Sequence, residues 1–130
     1  MLKIVMIACG GGLGALCRYG MSGFIMNISK GDFPLGTLLV NIIGSFMIGV
    51  CWELFSQFVN ISNEFKAFII IGFLGAFTTF STFSLDTAML YKNGEYKSAI
   101  FNILLNNIIC VVFVLLGAFL CLYISRMIKS

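Results

Sequence analysis

The sequence has no histidine and only five acidic residues, Asp32, Glu53, Glu64, Asp86 and Glu95. Without imidazole, and with so few carboxylates, the usual ligands of a metal centre and the usual bases of nucleophilic or acid/base chemistry are missing, which argues against an enzyme. Charge of either sign is scarce: Asp, Glu, Lys and Arg make up 10% of the 130 residues, against about a quarter in a soluble domain. The five cysteines, Cys9, Cys17, Cys51, Cys110 and Cys121, contain no Cys-x-x-Cys pair. All of them fall in apolar stretches, where a thiol packs as a small hydrophobe. No nucleic-acid partner is expected.

Apolar residues make up 60% of the chain, and the mean hydropathy is +1.06. At roughly 20 apolar residues per crossing, the length accommodates four spans with short links and leaves no room for a catalytic domain outside the bilayer. The expected spans are about 2–26, 35–58, 67–91 and 99–124, giving one all-α integral membrane domain over 1–130. The first apolar stretch follows Lys3 as a signal peptide would. It is interrupted by Gly10, Gly11, Gly12, Gly14 and Arg18, lacks a small-residue cleavage site and leads into further spans, so it is assigned as the first helix.

Lysine and arginine in the loops normally decide which side of a membrane protein faces the cytoplasm. Here the termini and the second loop hold Lys3, Lys66, Arg126 and Lys129, while the opposite side holds Lys30, Lys92 and Lys97, with Arg18 if that residue lies near the end of its span. A balance of four against four gives no direction. The expectation is a chain that inserts both ways and pairs as an antiparallel, dual-topology dimer.

Polar residues inside the spans mark where the protein faces itself or water. In the second span Thr37, Asn41, Gly44 and Ser45 follow one helix face, and an amide at that depth needs a partner or a wet cavity. The third span carries five hydroxyl residues within the seven-residue run Thr78-Thr79-Phe80-Ser81-Thr82-Phe83-Ser84. They cannot all face lipid without a free-energy cost. Gly72 and Gly75, just before the two threonines, predict a break near the middle of this helix, where freed carbonyls line a cavity or hold an ion. Phe80 and Phe83 share a face, and Ser81, Thr82 and Ser84 offer hydroxyls beside them. Hydroxyl and amide donors, together with the positive edges of phenyl rings and no carboxylate placed near them, suit a small anion. A neutral lining exchanges for the water around such an ion without trapping it. In the fourth span Asn102 and Asn106 are four apart on one face, Cys110 continues that face, and Asn107 lies alongside.

At these residues the sequence resembles the Fluc-type fluoride channels, also called the CrcB family. The resemblance covers essentially the whole chain. It is carried by Gly10-Gly11-Gly12-Leu13-Gly14-Ala15 with Arg18-Tyr19, by Gly36-Thr37-Leu38-Leu39-Val40-Asn41 with Gly44 and Phe46, and by Gly72-Phe73-Leu74-Gly75 leading into the hydroxyl run. The resemblance implies an antiparallel dimer in the plasma membrane of a prokaryote, with two fluoride pores along the subunit interface and a structural sodium ion (Na+) at its centre. It implies that Phe80 and Phe83 present ring edges to fluoride, that Asn41 is the pore amide, and that Ser81 and Thr82 form a polar track with Thr37 beside it. It further implies that the carbonyls of Gly75 and Thr78 hold the sodium and that Arg18 is the basic residue of the vestibule. The fourth span departs from the pattern, with Asn102, Asn106 and then Cys110 where relatives often carry a tyrosine and a serine. Asn106 is retained as a pore donor, and both a homodimer and a heterodimer with a related partner remain open. A four-helix antiporter of the small multidrug resistance type would need a carboxylate in the first helix, and Leu2 to Met26 has none.

Overall fold

The computed structural model describes residues 1–57 and 60–129. Among the described residues, four helical spans are long and apolar enough to cross a membrane: Leu2–Ser29, Leu35–Gln57, Asn63–Lys92 and Tyr96–Ile128. The first, third and fourth run a few residues beyond the expected apolar limits, because Lys, Asn, Ser and Tyr at the ends continue the helix into the interfacial layer. The expected end of the second span at Phe58 lies outside the described residues.

Helix α1 (Leu2–Ser29) stops where Lys30 turns left-handed at φ 47° and returns its N–H to Met26 O at 3.2 Å. Pro34 then precedes α2 (Leu35–Gln57), a position where a missing N–H costs nothing. The third span is two helices. Helix α3 (residues 63–77) begins under a Ser62 cap, in which the serine hydroxyl accepts the Phe65 N–H at 3.2 Å. It widens to a π-helical pitch over Ala67–Leu74 and ends with Gly75–Phe77. Helix α4 (Phe80–Lys92) follows after the extended pair Thr78 and Thr79, so the expected break is present. A turn with Gly94 at φ 82° leads to α5 (residues 96–129), which has a second π-helical stretch at Leu105–Ile109.

The helices are apolar on nearly every face, and residues such as Leu16, Leu115 and Phe119 are more than 60% exposed, as suits a chain whose solvent is lipid. Lipid supplies no hydrophobic drive between helices, so close backbone approach must hold them together. Gly10, Gly14 and Gly72 provide it between α1 and α3. A methyl group on Gly10 would land on the Phe68 carbonyl, on Gly14 on the Phe73 carbonyl, and on Gly72 2.7 Å from the Ile7 carbonyl. Helices α2 and α5 meet in the same way at Gly49 and Gly117, which lie against the carbonyls of Val114 and Phe46. The break between α3 and α4 sits beside α2, with Gly44 packed on Thr78 and Phe77.

Candidate ion pathway at the helix break

Thr78 (ψ 156°) and Thr79 (φ −151°, ψ 120°) leave the helical path, and their polar groups must find partners away from the helix. Asn41, reaching across from α2, supplies them. Its Oδ1 accepts the Thr79 N–H at 2.8 Å and its Nδ2 donates to the Thr79 carbonyl at 3.1 Å. The Thr79 hydroxyl caps α4 by accepting the Thr82 N–H at 3.1 Å. The carbonyls of Gly75, Ala76, Phe77 and Thr78 lose their helical donors across the break. In an unbroken helix Thr79 N–H would bond Gly75 O and Thr82 N–H would bond Thr78 O, yet these donors go to Asn41 and to the Thr79 hydroxyl. Both carbonyls belong to the residues expected to hold a cation. Arg18 of α1 donates from Nε to the neighbouring Ala76 carbonyl at 3.1 Å, placing a cation at the negative end of α3.

Two clefts flank the break. The first, of 220 Å³, is lined by Asn41, Ser45 and Ile48 of α2, by Thr78, Thr79, Phe80 and Phe83, and by Asn106, Asn107 and Cys110 of α5. The second, of 340 Å³, is lined by Arg18, Tyr19, Ser22 and Gly23 of α1 with Thr37, Thr79 and Thr82. Thr79 lines both, so the extended segment is the wall between them. The rings of Phe80 and Phe83 stand 5.2 Å apart, tilted by 59°. Phe83 is buried at 6% exposure and Phe80 is 73% exposed, so one ring is fixed within the chain and the other is presented outward.

The structure therefore brings Asn41, Phe80, Phe83 and Asn106 together at the first cleft, and Arg18, Thr37 and Thr82 at the second. Ser81 is exposed and lines neither, with its Oγ 3.3 Å from the Thr79 hydroxyl. A family model described as "CrcB-like protein, Camphor Resistance (CrcB)" matches residues 5–118. The chain belongs to the CrcB family. Proteins named fluoride-specific ion channel FluC are similar over nearly its whole length. That of Parabacteroides distasonis is 43% identical over 129 residues, 99% of this chain and all of the relative. That of Shewanella baltica is 47% identical over 117 residues, 90% of this chain and 94% of the relative. That of Desulforapulum autotrophicum is 47% identical over 105 residues, 81% of this chain and 84% of the relative.

With four apolar spans and bacterial relatives, this CrcB chain is a multi-pass protein of the prokaryotic plasma membrane. Among its described residues no group of three or more His, Cys, Asp or Glu side chains is placed to hold a metal. One expectation needs correcting. The lining was expected to have no carboxylate near it, which holds for the first cleft, but Thr37 donates its hydroxyl to Asp86 Oδ2 at 2.7 Å. Residues 37 and 86 lie on α2 and α4, and only the crossing of those helices brings them together. Ser45, Asn107 and Cys110 complete the first cleft, and Tyr19 and Ser22 the second. The π-helical stretch at Leu105–Ile109 explains how the adjacent residues Asn106 and Asn107 both reach one cleft. Nothing in Leu105-Asn106-Asn107-Ile108-Ile109 signals that widening at the level of sequence.

Proposed function

We propose that this chain is a subunit of a fluoride-selective channel that lets cytoplasmic fluoride leave the cell by passive diffusion. The observation that carries the reading is the first cleft, a neutral lining of amides, hydroxyls and phenyl rings without a carboxylate. The FluC relatives support the choice of fluoride as the anion. Fluoride is small and strongly hydrated, so passage requires several donors in succession with none that holds it tightly. Arg18 draws the anion into the second cleft. Thr82 supplies a hydroxyl there, beside Thr37, whose own proton goes to Asp86, and Ser81 offers one just outside; the edges of Phe80 and Phe83 take over at the first cleft, where Asn41 and Asn106 hold the lining in place.

The working unit is an antiparallel dimer with two pores along its interface. The first cleft is open on one side, and the exposed Phe80 beside it supports a second copy as the missing wall. A sodium ion fits the break, because the carbonyls of Gly75 and Thr78 have lost their helical donors to Asn41 and Thr79. When bound, it would supply positive charge against those oxygens at the centre of the dimer. This chain's own residues do the rest: Asn41 holds the backbone of the break, and Arg18 caps α3 beside it.

The test is ion release from liposomes that hold only this protein, followed with fluoride and chloride electrodes. Fast fluoride release with negligible chloride release is expected. An absence of fluoride release would defeat the homodimeric channel and favour an obligate heterodimer with a related subunit.

A further inference from the structure

Asn102 is wholly buried at 0% exposure, lines neither cleft and has no part in the function proposed above. It nevertheless sits at the turning point of a hydrogen-bond circuit that begins at Thr79, just before α4, and ends on α4. From Thr79, whose N–H donates to Asn41 Oδ1, the circuit continues as Asn41 Nδ2 donates to Asn106 Oδ1 at 2.9 Å. Asn106 Nδ2 donates to both oxygens of Asn102, at 2.9 Å to Oδ1 and 3.1 Å to the carbonyl. Asn102 Nδ2 donates to Thr87 Oγ1 at 2.8 Å and, at 3.5 Å, to the Phe83 carbonyl. Thr87 closes the circuit by donating to that same carbonyl at 2.8 Å. Among the described residues no buried side-chain nitrogen or oxygen is left without a partner.

Every link points the same way, and the two ends explain why. A carboxamide has a donor side and an acceptor side, and either may be turned toward a neighbour. The ends of the circuit have no such freedom, since the Thr79 N–H only donates and the Phe83 carbonyl only accepts. Fixing Asn41 Oδ1 on Thr79 turns its Nδ2 toward Asn106. Asn106 must then present oxygen to Asn41 and nitrogen to Asn102, and Asn102 must present nitrogen to α4. Reversing any one amide would set donor against donor or acceptor against acceptor in a buried, weakly screening environment.

We infer that Asn102 is a positioning residue for the pathway. It fixes the orientation of Asn106 and, through Asn106, the grip of Asn41 on Thr79, which places Phe80 and Phe83 at the first cleft. The circuit also explains how a fourth span with asparagines serves the pathway, since Asn102 and Asn106 together span the distance from α2 back to α4.

The inference rests on the channel reading, and the test separates the two. Protein labelled with ¹⁵N at asparagine reports the side-chain amide signals of Asn41 and Asn106 directly, alongside fluoride release from liposomes. Asn102→Ala is expected to shift the Asn41 signal and lower fluoride release about tenfold, with the folded dimer retained. Because Asn106→Ala breaks the same circuit, the double variant should be no slower than Asn106→Ala alone. An unmoved Asn41 signal in Asn102→Ala, or losses that multiply in the double variant, would overturn the inference. Should Asn102→Ala fail to fold, Thr87→Val removes the circuit's last side-chain acceptor and should move the same signals; unmoved signals there overturn the inference equally. A wild-type protein that releases no fluoride would instead defeat the channel reading, while the amide signals still decide the circuit.

Discussion

Asn41 meets Thr79 as one peptide group meets another, accepting its N–H and donating to its carbonyl. The residue expected to be a pore donor gives both of its N–H groups to Thr79 and Asn106 and holds the break, so its replacement should disturb the pathway through that segment. Asn41→Ala would strand the Thr79 N–H, at a cost of about 1–3 kcal/mol, and is expected to lower fluoride release at least tenfold in the liposome assay while dimers persist on size exclusion. Phe80→Ile should behave differently. The ring is 73% exposed in the chain, so flux should fall while the unfolding midpoint in detergent stays where it was; an unchanged flux in both variants would mean that the pathway lies elsewhere. Thr37 carries a third expectation. Its hydroxyl donates to a carboxylate at 2.7 Å, a bond worth about 1.5–3 kcal/mol, so Thr37→Val should lower that midpoint and Thr37→Ser should restore it. What the sequence made legible at this scale follows from one rule: a polar group within an apolar run must have a partner. That rule selects Asn41, the hydroxyl run and Asn106. It does not identify the partners, and the Thr37–Asp86 and Asn41–Asn106 pairs span 49 and 65 residues, separations that helix periodicity does not address.

Among the elements, the break could be anticipated because glycine and threonine both loosen a membrane helix, and it falls at Thr78 and Thr79 as those residues suggest. The two π-helical stretches were not legible, since Ala67–Leu74 and Leu105–Ile109 differ from ordinary helix only in hydrogen-bond step. Glycine content was legible as packing in general but not glycine by glycine. The structure separates the roles. A side chain at Gly49 or Gly117 meets backbone across the α2–α5 contact, whereas one at Gly12 or Gly20 meets nothing within 4 Å. Gly49→Val or Gly117→Val is accordingly expected to cost about 1–3 kcal/mol or more through overpacking, read as a lower unfolding midpoint in detergent. Gly20→Ala should leave the midpoint unchanged or raise it slightly, since alanine favours helix over glycine by about 1 kcal/mol. Equal losses at Gly49 and Gly20 would remove the case for a glycine-mediated α2–α5 contact.

For the molecule as a whole, the structure changes the charge tally on which the expectation of dual topology rests. Arg18 was counted with the loops on the condition that it lies near the end of its span, but it sits well inside α1 and donates to Ala76 at the helix break. Removed from the tally, it leaves Lys3, Lys66, Arg126 and Lys129 on one side against Lys30, Lys92 and Lys97 on the other, still too even to impose a direction. Such a balance should be sensitive to single charges. A reporter fused to the C-terminus is expected to read on both sides of the membrane in comparable amounts. Adding one lysine near the 93–95 turn should bias the population one way, and adding one near the C-terminus should bias it the other way. Since an antiparallel dimer needs both orientations, either bias alone should lower fluoride release per chain, and co-expression of the two biased variants should restore it. A wild-type reporter seen on one side only would sink dual topology, and with it the inverted second copy as the wall of the first cleft.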